Sequence, residues 1–120
     1  MSSNNIYCVQ VFLPVGTLQK NFKLSFVPTI REESLATGRT SILVDVQVGH
    51  DTQKPFIVSD DTEKFCLSSH DHTFFFRKVP CETPSYEVSL GHRFVWVNRL
   101  GNQGLNLLMQ EYFAAKKKSG

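Results

Sequence analysis

His70-Asp71-His72 is the cluster in this 120-residue chain whose residue types come nearest to a reactive site. Two histidines two apart on a strand face the same way and could share a metal ion. A metal needs a third or fourth ligand, and the spacing places none; His50, Asp60 and Cys66 are candidates only. The plain alternative is a polar turn, so the expectation is no metal and no cofactor. Ser69, His70 and Asp71 also carry the letters of a nucleophile triad. Neighbours on a strand point to opposite faces and cannot relay a proton. Cys8 and Cys66 lie in apolar alternating runs and read as buried structural thiols, because a reactive thiolate needs an accessible, electropositive setting. No catalytic residue emerges, and the expectation is that the protein is not an enzyme.

Phe74, Phe75 and Phe76 run directly into Arg77 and Lys78. Three consecutive rings cannot all enter one core, so a strand here carries at least one ring on each face. An exposed ring followed by two cations suits an acidic partner, and a solvated strand end is the alternative. These five residues are the candidate binding residues. Lys116, Lys117 and Lys118 read as a solvated helix end, where positive charge complements the helix dipole.

The elements that must position these residues are strands and one helix. The clearest unit is Ser85–Lys118. Tyr86, Val88 and Leu90 alternate with Glu87 and Ser89, and Gly91-His92 supplies a two-residue turn. Arg93–Val97 is apolar at four of five positions, which predicts a strand covered on both faces. Asn102 is the expected N-cap of an amphipathic helix that buries Leu105, Leu108, Met109, Tyr112 and Phe113. Earlier, Ile6–Leu13 and Asn21–Phe26 form an expected hairpin with a six- to eight-residue loop, Pro14-Val15-Gly16 ending the first strand. Thr29 to Glu32 fits a capping box, predicting a short helix over 30–37 stopped by Gly38. Ser41–Val48 is a strand with Ile42, Val44, Val46 and Val48 inward. Short strands follow near 56–58, 64–67 and 73–79. Seven or eight antiparallel strands and a C-terminal amphipathic helix give a mainly β (α+β) class, a small sandwich or barrel closed by the helix.

Composition bounds the remaining classes. Length suits one domain over 6–118 with a flexible lead over 1–5. A formal charge of +2 gives no reason to invoke nucleic acid. Three cysteines without a C-x-x-C pair read as reduced thiols in a cytosolic or nuclear protein, and the expected location is cytoplasmic, with the cytoskeleton as a candidate site. No apolar run approaches the roughly 20 residues of a membrane span, and the first residues lack a secretory pattern.

The element order, strands followed by one helix, resembles the pleckstrin-homology superfold, including its phosphotyrosine-binding and EVH1 types. That resemblance implies a binding module. Lipid-binding members carry several basic residues in the first hairpin loop; the loop here, Pro14 to Asn21, has only Lys20, which argues against membrane lipid. Val9-Gln10-Val11, then Asn21 to Phe26 and Pro28, is similar to the opening of ubiquitin-like domains of the trypanosome flagellar-pocket-collar scaffold type. A sandwich followed by a helix also resembles the head domains of centriolar and DNA-repair coiled-coil proteins. The expected function is therefore a non-catalytic adaptor that binds a protein or peptide. The alternatives are a self-associating head domain of a cytoskeletal scaffold, as a homo-oligomer, and a lipid head-group binder.

Overall fold

The computed structural model describes residues 6–15, 18–34, 36, 38–83 and 85–119. Alternation through the first three quarters of the chain becomes strands, and all of them join one antiparallel sheet. In chain order these are β1 (Tyr7–Val15), β2 (Leu18–Phe26), β3 (Arg31–Ser34), β4 (Thr40–Val48), β5 (Lys54–Asp61), β6 (Lys64–Ser68), β7 (Thr73–Val79), β8 (Ser85–Leu90) and β9 (Arg93–Trp96), followed by the helix α1 (Arg99–Ser119). The order across the sheet is β1-β2-β4-β5-β6-β7-β8-β9, and β3 extends β2 along the same edge of β4. The sheet curls into a half-barrel that brings β1 near β9, and α1 packs against β1 and β8. The protein is thus mainly β with one closing helix, as its alternation predicts, built from nine strands in a single curled sheet.

Inward-facing side chains fill the hollow. Val9, Leu24, Val44, Val46 and Val88 are fully buried, and Leu105 and Leu108 of α1 meet them from the other side. Burying each such side chain contributes roughly 1.5–3 kcal/mol. Two glycines let the helix come this close. A Cβ on Gly104 would lie 2.6 Å from both Cβ and Cγ of Tyr7, and one on Gly101 would lie 2.7 Å from Val97 Cγ1. Glycine inside a helix costs about 1 kcal/mol relative to alanine. Here it sets the distance between helix and strand.

The structure departs from the expected elements in four places. The helix expected over 30–37 is the strand β3, paired from Arg31↔Leu43 to Ser34↔Thr40. A helix there would bury almost nothing, whereas the edge of β4 offers every backbone group a partner. The expected loop of the first hairpin is mostly strand, paired out to Val15↔Leu18. Pro14 is tolerated because β1 is a terminal strand and needs no second partner. The N-cap is Asn98, whose Oδ1 accepts the Gly101 N–H at 2.7 Å; Asn102 is already inside the helix. Phe113, expected in the core, is 41% exposed, because it lies at the margin of the buried helical face. The Met1–Asn5 lead, Gly16, Leu35, Thr37 and the side chain of Lys20 lie outside the described residues.

Candidate functional site

The pleat of β7 separates the three phenylalanines. Phe74 and Phe76 turn into the hollow and are 6% and 1% exposed, so they are core residues and not the contact expected of them. Phe75 turns to the outer face and is half-buried there. The next residues divide in the same way. Arg77 joins Phe75 on the outer face, while Lys78 follows Phe76 on the inner side, at the rim of a cleft.

On β9, the pairing Val88↔Val95 puts Val95 against the core, so Phe94 and Trp96 face outward with Phe75 and Arg77. Trp96 is 56% exposed. This corrects the expectation that Arg93–Val97 is covered on both faces: β9 is the last strand, and only its inner side, at Val95 and Val97, packs on the core. Two cations lean across the sheet onto these rings. The Arg77 guanidinium carbon lies 4.4 Å from the Phe94 ring centre. Lys64 Nζ lies 5.4 Å from the centre of Phe75 and 5.8 Å from that of Phe94. Each such contact is worth about 0.5–1 kcal/mol when exposed. Arg77 also donates to the Glu87 carboxylate from Nε at 3.1 Å and from Nη2. Lys64 has no carboxylate within ion-pair distance among the described residues, while Arg93, paired with Leu90 and in step with Val95, belongs to the inner side of β9.

The backbone of β9 is arranged to match. Gly91 has φ +69° and His92 does not have positive φ, the pattern of a II′ turn with glycine first. Val97 N–H donates to Tyr86 C=O at 2.9 Å. Bonding alternates along an antiparallel pair, so Phe94 and Trp96 direct their N–H and C=O away from β8. The two outward aromatic residues therefore also carry the polar groups of the free edge.

The inner side is closed by a different set of bonds. The Tyr86 hydroxyl donates to Asn106 Oδ1 at 2.7 Å, and its backbone N–H donates to Asn102 Oδ1 at 3.0 Å. Burial pushes the Tyr86 phenol up to about 12. Farther along α1, the Tyr112 hydroxyl donates to Asp60 Oδ1, and Lys116 Nζ reaches the same oxygen at 2.9 Å. The Tyr112 bond, and then that of Lys116, holds the Asp60 carboxyl below its ordinary range. Burial, and then Asp60, pushes the Tyr112 phenol up to about 12. Between this latch and the sheet lies a cleft of about 210 Å³ walled by Phe65, Phe76, Met109, Phe113 and Lys78.

The reactive-looking residues do not converge. Ser69 and His72 close the turn between β6 and β7, with the His72 N–H donating to Ser69 Oγ at 3.2 Å. Asp71 pairs with Lys54 at 3.4 Å, and the His72 ring lies 5.8 Å from that of Phe74. His70 is exposed, and no group of three or more His, Cys, Asp or Glu is placed to hold a metal among the described residues. Cys8, Cys66 and Cys81 are free thiols; burial pushes that of Cys66 up, so it stays protonated at neutral pH. Among the described residues, no helix is long and apolar enough to cross a membrane.

Of the five candidate binding residues, the outer face therefore holds Phe75 and Arg77 and adds Lys64, Phe94 and Trp96. The signal for the additions lay in the chain order. The last strand of a meander has one neighbour, and its alternating Phe94 and Trp96 must face away from Val95 and Val97. Lys64 carried no such signal, because only the β6–β7 pairing brings it beside Phe75. A scan against protein-family models and searches of curated proteins and of solved structures find no match to this chain.

Proposed function

We propose that this chain is a non-catalytic module that binds another protein or a peptide through the outer face of β7–β9. The observation that carries the reading is Trp96, a large ring more than half exposed on the same face as Phe75 and Phe94. A lone exposed apolar residue is ordinary, but three aromatic residues gathered on one face of the last strands mark a contact surface. Tryptophan and arginine are also the residues that most often dominate binding energy at protein interfaces. The test is selection of peptides from a displayed random library on the immobilised domain. Enriched peptides should lose binding to Trp96→Ala while that variant keeps its thermal midpoint. Peptides that bind wild type and variant equally would move the working surface elsewhere.

A second reading, a self-associating head domain of a coiled-coil or cytoskeletal scaffold, is favoured by one observation on α1. Leu100, Leu107 and Ala114 recur every seven residues on the exposed side of the helix, with Leu100 61% and Leu107 40% exposed. That spacing is what one helix presents to another in a coiled coil. Light scattering over a concentration series separates the two. A dimer abolished by Leu100→Glu with Leu107→Glu supports the second reading, and a monomer throughout supports the first.

A further inference from the structure

We infer that the exposed side of α1 docks an acidic helix of another protein, a surface separate from the outer face of β7–β9. Leu100, Leu107 and Ala114 form its apolar line. Gln103, Gln110 and Lys117 fall between them at the three- and four-residue steps of a heptad seam, and all six residues are exposed. Along this seam and its margins stand three exposed cations, Arg99, Lys117 and Lys118, against one exposed carboxylate, Glu111. None of the three has a carboxylate within ion-pair distance among the described residues. Lys116, by contrast, is turned inward to Asp60. The seam fits a second copy of itself poorly. Two parallel copies would set Gln103, Gln110 and Lys117 each against its own counterpart, bringing two ammonium groups together. Two antiparallel copies in full overlap would set Leu100 against the Lys117 of the other. A foreign helix that offers leucines to the apolar line and carboxylates to the cations satisfies both. From Leu100 to Lys118 the seam runs roughly 27 Å, enough for a partner of about five turns. Each exposed ion pair adds about 0.2–1 kcal/mol, so the leucines carry the affinity and the charges select the partner.

The probes are two fluorescein-labelled four-heptad peptides with leucine at a and d, one carrying Glu and the other Lys at e and g. The full chain is titrated into each at physiological salt and followed by anisotropy. Saturable binding of the Glu peptide alone is expected. It should weaken about tenfold, a loss of about 1.4 kcal/mol, in Leu107→Gln and again in Lys117→Glu with Lys118→Glu. It should be unchanged in Trp96→Ala, which alters the other face. All of these positions are exposed, and circular dichroism verifies that each variant folds. Equal binding of the Lys peptide would overturn the acidic chemistry. Loss in the lysine variant with none in Leu107→Gln would mean general charge attraction and overturn the seam. Loss in Trp96→Ala with none in the α1 variants would move the acidic helix to the outer face of β7–β9 and overturn the inference. Absence of binding by either peptide would overturn it while leaving the reading of that outer face intact. A concentration-dependent dimer of the chain, abolished by Leu100→Glu with Leu107→Glu, would replace the foreign helix with a second copy.

Discussion

Phe75 and Phe76 are adjacent residues with identical side chains, and the sheet gives them opposite surroundings. Phe76 is enclosed in the hollow under α1, while Phe75 lies on the outer face beneath the Lys64 ammonium. The contrast extends to the two faces as wholes. The inner face is apolar and its polar atoms are paired within the fold, as the Tyr86 hydroxyl is with Asn106. The outer face at β7–β9 keeps aromatic rings half-covered by cations, with one large ring open to solvent. A covered face contributes stability in proportion to apolar area removed from water. An open one contributes little to stability and is available to a partner. Closing the inner face with a single helix is what leaves the outer face free.

The comparison breaks first if the inner face tolerates a cavity. Leu108→Ala removes a fully buried side chain where α1 meets the sheet and should cost about 2–5 kcal/mol, measured by denaturant unfolding. A loss under about 1 kcal/mol would mean that the helix is only loosely docked.

Gly104→Ala is the next test, and a sharper one, because two effects oppose each other. Alanine improves helix propensity by about 1 kcal/mol, yet its Cβ would meet Tyr7 Cβ and Cγ at 2.6 Å, where the strand backbone leaves no room to yield. Overpacking of this kind costs about 1–3 kcal/mol, so net destabilisation is expected. A stabilised variant would show that the helix stands farther from β1.

Extremes of pH address the closure by hydrogen bonds. The Tyr86 and Tyr112 phenols are pushed up to about 12 in the folded state, against about 10 for a free phenol. The unfolded chain therefore loses these protons first as pH rises. Their contribution is full below about pH 10 and is lost between about 10 and 12. Asp60 works in the opposite sense. Its carboxyl is held low by Tyr112 and Lys116, so its contribution is present above about pH 4 and fades as pH falls below that. Thermal midpoints across both windows, with tyrosinate absorbance alongside, check both. A midpoint that stays flat from about pH 10 to 12 would place the phenols in water.

The smallest expected change in stability is on the other face. Trp96→Ala should alter unfolding free energy by about 0.5 kcal/mol or less, as is usual for exposed positions, while peptide binding is lost. A loss of several kcal/mol would make Trp96 a structural residue and erase the distinction between the faces.

By itself the sequence determined most of what depends on periodicity, Phe113 at the margin of the helical face being the exception. Alternation in Tyr7–Val11, Phe22–Phe26 and Ile42–Val48 identified the inward residues correctly, and the spacing of Leu105, Leu108 and Tyr112 identified the buried side of α1. Such patterns are local, because a strand repeats every two residues and a helix every 3.6. What only the tertiary structure decided is what each face meets. Thr29 to Glu32 has the letters of a helix start, but the open edge of β4 turned Arg31–Ser34 into strand. Asn98 took the cap, and Asn102 went instead to the Tyr86 backbone. Gly101 and Gly104 look like flaws in a helix until β1 lies against them. Lys64, Phe75, Arg77 and Phe94 come from three strands and share a surface only because β6–β9 pair in one register. Contacts between residues distant in the chain are set by strand order and sheet curvature, and neither is written in the spacing of any single segment.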